Sequence, residues 1–163
     1  MNQHQVNQFI AEAGGFFSGA IRINGALYGV ITAPKAEAGS PIAQKALGTT
    51  INGFSDWVIP ARDVLEIQYR AHKPTTETNY VYRSGDNPSS VPAGYPYTEA
   101  LPAQCPDPLF QEGGAEAFDA AWYLSSTQSS PYDAWYQNFD VGNQYDIRKT
   151  SEGVVRLVRR FFL

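Results

Sequence analysis

A proline-dense stretch between residues 74 and 108 restricts this chain more than any other feature. It carries seven of the eleven prolines in the 163-residue sequence. Proline lacks a backbone donor and fixes φ, so this density is incompatible with long helices and central strands. The sequence therefore predicts a long loop region with a few short strand pieces. Such loops often carry function, although this one fits equally well as a cover for the core or for a subunit interface.

A β-hairpin is predicted near the start of the chain. Two strand-like runs, 17–23 and 26–32, flank Asn24-Gly25. This dipeptide tolerates the positive φ that both central residues of a type I′ turn require. The preceding residues are rich in Gln and Asn and place apolar side chains at helical spacing. We therefore assign residues 1–14 to an N-terminal arm or short helix, and residues 15–163 to a single domain.

Two helices are predicted between the hairpin and the loop. The first begins at Ser40-Pro41, a capping residue followed by a proline at the first helical position, and ends at Gly48. The second begins at Pro60 and runs to about Ala71, with Val64, Leu65 and Tyr69 among the residues on one face.

Three apolar or aromatic segments in the C-terminal third predict a compact antiparallel meander: 122–127, 134–139 and 154–161. Alternation in the second segment places Trp135 and Phe139 on one face. If those rings face the core, Tyr136, Asn138 and Asp140 are presented together to solvent. This trio is suited to contacting a ligand, and it equally fits ordinary solvated residues on a half-buried strand.

Composition restricts the class of protein. An apolar fraction of 43% over this length supports one domain with a hydrophobic core. The net charge of −4 argues against a nucleic-acid partner, and Arg156, Arg159 and Arg160 lie among apolar residues as in a structural strand. A single cysteine cannot form an intrachain disulfide. With no signal-peptide pattern and no stretch of spanning length, we expect a chain made in a cytosol without membrane insertion.

No pattern typical of a catalytic or metal site is found in the sequence. His4 and His72 have no Cys or His at ligand spacing. The run 125–127, Ser-Ser-Thr, lacks the glycine context of a nucleophile elbow. Helix capping and surface pairing account for the charged residues around the second helix, Asp56, Arg62, Asp63 and Glu66. We therefore expect no enzyme activity, no metal and no cofactor.

Four runs of residues, taken in order, resemble the motifs of the DUF1566 family. The family patterns W-x-L-P-S-R-D-E-L, Y-W-S-S-T, A-W-x-x-N-F and V-R-x-V-R correspond to runs within residues 54–66, 123–127, 134–139 and 155–159. The resemblance covers roughly residues 15–162. It departs at Ile59, Ala61 and Leu124, where the family has Leu, Ser and a second aromatic residue.

The resemblance implies an α+β, C-type-lectin-like fold, with an N-terminal β-hairpin, two helices, a long Pro-rich loop region and a C-terminal antiparallel sheet. The early hairpin 17–32 and the run 82–88 are similar to those of tailed-phage and prophage proteins. That likeness implies a virion protein, an expected homo-oligomer that contacts other capsid or tail proteins. Calcium-dependent sugar binding does not carry over, because the triplets that hold the calcium ion are missing.

Some phage proteins of this fold are receptor-binding tips, so the likeness also implies binding of a host-surface protein or glycan. The alternative is a structural capsid or tail decoration protein whose surfaces make subunit contacts. By this likeness the ligand-facing residues would be Tyr132, Asp133, Tyr136, Asn138, Asp140, Asn143, Tyr145, Asp146 and Arg148.

Overall fold

Two antiparallel sheets and an α-helix form a mixed α+β fold in the part of the chain that the computed structural model describes, residues 4–35, 48–151 and 153–163. The first predicted helix, from Ser40 to Gly48, falls mainly on residues 40–47, which lie outside the described residues. None of the helices in the described ranges is long and apolar enough to cross a membrane.

The hairpin is confirmed and forms the centre of the larger sheet. Asn24 and Gly25 both have positive φ, 49° and 83°, as a type I′ turn requires. Its strands are β1 Phe9–Ile10, β2 Gly15–Ile23, β3 Ala26–Thr32, β4 Ser90–Val91 and β8 Val158–Phe162. They are ordered β1-β2-β3-β8, and the short β4 also pairs with β2.

The C-terminal segment differs from the prediction, and at the N-terminus the helix alternative is wrong for the described residues. Residues 4–13 form no amphipathic α-helix, because Phe9–Ile10 pairs with β2 and Ala11–Ala13 is a single 3-10 turn. Of the last apolar segment, only Val154 meets the predicted meander, through a parallel bridge to Tyr123. The strand at its end, β8, instead pairs with β3. This pairing buries Val158 in a cluster with Val30 and Val64. The apolar contact is distant in sequence, so local pattern could not reveal it.

The smaller sheet contains three antiparallel strands in the order β5-β6-β7. These are Trp122–Gln128, Asp133–Asn138 and Gln144–Arg148. The first two predicted segments of the meander are therefore confirmed. The third strand, β7, was not predicted: Tyr145 and Ile147 alternate with polar residues, but a run of five residues with two apolar side chains is a weak strand signal.

The second predicted helix is confirmed as α1, Arg62–His72, and it packs on both sheets. Leu65 and Tyr69 lie in one cluster with residues of the smaller sheet, whereas Val64 and Ile67 lie in a second cluster with the hairpin. Full burial of one Leu or Ile side chain contributes roughly 1.5–3 kcal/mol. The helix is therefore the main apolar link between the sheets.

The proline-rich loop is ordered by buried polar contacts with α1. The Glu66 carboxylate accepts hydrogen bonds from Asn87 Nδ2 at 2.6 Å and from Tyr97 OH at 2.9 Å, and it pairs with Arg70 at 3.2 Å. Desolvation raises the pKa of Glu66, an effect that these partners oppose. As predicted, the 74–108 region has little regular structure, and the short β4 is its strand piece among the described residues.

A second polar group fixes the start of the loop. Asn79 Oδ1 accepts hydrogen bonds from Tyr69 OH at 2.6 Å and Lys73 Nζ at 2.9 Å. Its Nδ2 donates to the carbonyl of Pro102 at 2.9 Å. The loop thus folds back on itself around one buried amide.

A buried histidine joins α1 to the hairpin. His72 Nε2 lies 2.7 Å from Ser18 Oγ, which lies 2.6 Å from Thr32 Oγ1, and Gln68 Nε2 donates to the same threonine oxygen at 2.9 Å. The imidazole ring stacks on Phe110 with 4.3 Å between centroids. Burial lowers the pKa of His72 to about 3, because the interior disfavours its charged form.

We expect this histidine to make the fold sensitive to acid. The pKa is depressed from 6.5 in the unfolded chain to about 3 in the folded one, so stability is lost as pH falls below 6.5. The loss is about 1.4 kcal/mol for each pH unit until pH nears 3. Urea denaturation at pH 7 and pH 5 should show a loss for the native chain about 2 kcal/mol larger than for His72→Gln, whose amide does not titrate. Equal pH dependence in the two proteins would contradict this assignment.

The Ser-Ser-Thr run at 125–127 supplies a cap for α1. Thr127 Oγ1 accepts a hydrogen bond from the Arg62 backbone N–H at 2.9 Å, and the capping residue Ala61 has no side-chain acceptor of its own. Ser125 Oγ accepts the Thr127 N–H at 3.1 Å, which orients the threonine. The motif therefore connects the smaller sheet to the helix N-terminus.

Thr127→Val should lower the free energy of unfolding by about 1 kcal/mol, because it removes the capping oxygen and keeps the shape. Thr127→Ser retains the oxygen and should stay close to the native value. Chemical denaturation measures both variants, and a valine variant as stable as the native protein would rule out the cap.

Candidate functional site

A group of exposed and half-buried aromatic rings surrounds one arginine where the loop meets the smaller sheet. We call it the Arg83 cluster, and it comprises Tyr82, Arg83, Trp122, Trp135 and Tyr145. The Arg83 guanidinium carbon lies 5.2 Å from the ring centroid of Tyr145, 5.5 Å from Tyr82 and 5.7 Å from Trp135. Tyr145 also contacts Tyr82 and Trp122, with centroids 6.5 and 6.3 Å apart. Cation–π contacts of this kind hold the guanidinium in place.

Backbone pairing places Arg83 beside the sheet. The Gln144 N–H donates to the Arg83 carbonyl at 2.9 Å, so the loop runs along the outer edge of β7. Arg83 itself has a φ of 53°, in the left-handed region that residues other than Gly rarely adopt. The local backbone is thus fixed by contact with β7 in spite of an unfavourable φ.

A second arginine supports the cluster from the helix side. Arg62, the first residue of α1, stacks on Trp135 with its guanidinium carbon 3.7 Å from the ring centroid. Its Nε donates to Gln144 Oε1 at 2.6 Å. Desolvation lowers the pKa of Arg62, which stays far above neutrality for an arginine. Helix, loop and sheet therefore meet at the indole of Trp135.

An ion pair completes the exposed part of the cluster. Arg83 Nη1 lies 3.2 Å from Asp146 Oδ1, and both side chains are exposed. A hydrogen bond with the Tyr82 side chain and the neighbouring Asp146 carboxylate raise the pKa of Arg83. Tyr82 is 53% exposed and Tyr145 37%, so two large rings flank this pair at the surface.

Two of the nine predicted ligand-facing residues lie at this cluster, namely Tyr145 and Asp146. Others form separate groups along the sheet. Asp133 and Arg148 are cross-strand partners, and the adjacent Tyr132 is largely exposed. Asn138 and Asp140 are half-buried near the opposite end of β6, where Asn138 Oδ1 accepts the Asp140 N–H at 2.8 Å. The predicted set is therefore spread along the sheet.

The predicted orientation of β6 is wrong in part. Tyr136 is only 1% exposed and Asn143 is also buried, so neither is presented to solvent. Trp135, expected in the core, is half-buried under Arg62. The physical reason is that β6 is the central strand of three and is covered on both faces: a Cβ at Gly153 would lie 2.5 Å from the Tyr136 ring. Alternation separates core from solvent only where one face is open.

Tyr82, Arg83 and Trp122 were not named among the candidate residues, although Tyr82 and Arg83 lie in the 74–108 loop, which was predicted as a possible functional segment. A usable signal exists in the run Tyr80-Val81-Tyr82-Arg83, which places exposed aromatic residues beside an arginine in a loop. Aromatic residues and arginine are enriched at binding hot spots.

Three other side chains with potential reactivity, Ser18, His72 and Cys105, are buried. The Ser18–His72 contact is completely buried between the hairpin and α1, so a substrate has no access to it. Burial raises the pKa of the Cys105 thiol, and Asn7 Nδ2 donates to its sulfur at 3.3 Å. Within the described ranges no three His, Cys, Asp or Glu residues are grouped as metal ligands. The exposed arrangement at the Arg83 cluster is thus suited to binding.

No family model matches the chain, and no curated protein shows significant similarity to it. The likeness to the DUF1566 family therefore stays a prediction.

The backbone of Arg83 gives a test of local strain. Arg83→Gly and Arg83→Ala remove the same guanidinium contacts, but glycine adopts φ of 53° without the steric penalty of a Cβ. We expect the glycine variant to be more stable than the alanine variant by about 1 kcal/mol in urea denaturation. An alanine variant of equal or greater stability would show that position 83 is not strained.

Proposed function

We propose that this chain is a non-enzymatic virion protein that displays a ligand-binding surface for a host-cell receptor or glycan. The observation that carries the proposal is the Arg83 cluster, in which exposed tyrosines flank an arginine on an ordered framework. Large rigid rings provide contact area at low entropic cost, and the arginine adds directed donors. The virion location rests on the likeness of the early hairpin and the 82–88 run to phage proteins.

A C-type-lectin-like fold is the finer form of this proposal. A hairpin-centred sheet, a helix packed on it, a long ordered loop and a small second sheet support that assignment. The DUF1566 likeness supports the same fold, because its four motifs lie on α1, β5, β6 and the segment leading into β8. In that fold the loop and the adjoining sheet are the natural place for a ligand.

A structural decoration protein is the second candidate, and one observation favours it. Phe162 is 71% exposed in β8, a strand at the edge of the larger sheet, and Leu163 beside it is also exposed. Edge strands with apolar side chains readily pair with other chains. Contacts with virion proteins or with further copies of this chain would then use this edge.

Particles that carry variants of the chain separate the two functions. The double variant Tyr82→Ala/Tyr145→Ala should reduce adsorption to host cells at least about tenfold, because it removes both exposed rings of the cluster. Its incorporation into particles should be normal. Phe162→Ala, which removes an exposed ring outside the cluster, is the matched control and should adsorb like the native particle.

The opposite pattern supports the decoration protein. Normal adsorption by the double variant, together with loss of the Phe162→Ala chain from purified particles, would overturn receptor binding. Quantitative immunoblotting of the particles and a cell-adsorption assay provide the two measurements.

A further inference from the structure

The Arg83–Asp146 pair offers donors and acceptors side by side at the surface. The guanidinium has five N–H donors and the carboxylate has about four acceptor sites, and their contact is a single Nη1···Oδ1 approach of 3.2 Å. Both side chains are exposed. An exposed ion pair contributes little to stability, so redirecting its groups to a ligand costs little.

The charges around the pair favour an uncharged ligand. Asp146 balances Arg83 directly. Arg62, on the helix side of Trp135, feels the opposite charges of Asp63 and Asp86. An anionic ligand would compete with these carboxylates, and a cationic one would be repelled by the two arginines. A neutral molecule with several hydroxyl groups fits the site without either conflict.

The rings beside the pair provide the apolar part of the site. The Tyr82 and Tyr145 rings are tilted by 54° with centroids 6.5 Å apart, and both are exposed next to the Arg83 guanidinium. A pyranose has an apolar C–H face and a rim of hydroxyl groups. Aromatic rings suit the face, and a mixed donor and acceptor pair suits the rim.

We infer that the Arg83 cluster binds an uncharged pyranose unit of a glycan. A C–H face packs on Tyr145 or Tyr82, and two adjacent hydroxyl groups interact with Arg83 and Asp146, one accepting from the guanidinium and the other donating to the carboxylate. The inference deepens the proposed function and rests on it, since it makes the receptor a glycan. Neither a metal ion nor the β8 edge takes part.

Saturation-transfer NMR on the full chain tests the inference, with methyl glycosides of glucose, galactose, mannose and rhamnose as probes. At least one glycoside should bind, with an affinity in the millimolar range expected for a single sugar. Tyr145→Ala and Asp146→Asn should each weaken that binding at least about tenfold. Tyr95→Ala is the matched control: Tyr95 is 38% exposed and lies 5.8 Å from Arg70, outside the cluster, and its loss should leave binding unchanged.

The outcomes separate this inference from the proposed function. If no glycoside binds while the labelled chain still adsorbs to host cells through Tyr82 and Tyr145, the inference of a glycan ligand is wrong and the proposal of a receptor-binding surface is supported. Glycoside binding that persists in Asp146→Asn and Tyr145→Ala overturns the placement of the sugar. Absence of both glycoside binding and adsorption overturns both proposals. Thermal unfolding of each variant confirms that it is folded before binding is compared.

Discussion

The structure of the proline-rich loop depends on the hydrogen bonds to the buried carboxylate of Glu66. Glu66 lies on α1, packed between the sheets, and receives hydrogen bonds from Asn87 and Tyr97 in the proline-rich loop. A buried charge without partners is costly, so the helix and the loop stabilise each other's conformation. Gly85 shows how closely the loop is packed, since a Cβ there would lie 2.0 Å from the Tyr95 carbonyl oxygen. These contacts hold the proline-rich loop in one conformation, although it has little regular structure. Arg83, which belongs to this loop, is held in place with it.

Local chemistry explains which parts of the fold could be predicted from the sequence. Asn24-Gly25 specifies its turn through φ alone, and the apolar stripe of α1 follows from its own spacing. The pairing of β8 with β3 places Val158 opposite Thr32, two residues that are distant in sequence. The strand β7 is defined by its backbone pairing with β6, because the alternation of Tyr145 and Ile147 with polar residues is too short to indicate a strand alone. Pairing between strands that are distant in the chain could not be predicted from local sequence patterns.

The candidate site was predicted only in part for a related reason. Alternation along β6 assumed one core face and one solvent face, but Gln137 is buried between Gln144 and the Gly142 carbonyl, and Tyr136 is buried on the opposite face. The exposed rings come from an edge strand and from a loop, where neither periodicity nor propensity marks a position. Tyr145 and Asp146 were among the predicted residues because the likeness to receptor-binding proteins included β7. Arg83 instead depends on a loop that non-local contacts of Glu66, Asn79 and Gln144 place.

The ordered loop fixes the position of Arg83 at the surface. Arg83 is held by the backbone of Gln144 and by three aromatic rings before a ligand arrives, in a left-handed conformation that an isolated loop would avoid. Because the segment is already ordered, the proposed binding would carry no entropic cost for ordering it. The polar groups that stabilise the fold are buried along α1, whereas the pair that can exchange partners is exposed. This separation allows residues 82, 145 and 146 to change with little loss of stability, because their exposed side chains lie outside the buried contacts of α1.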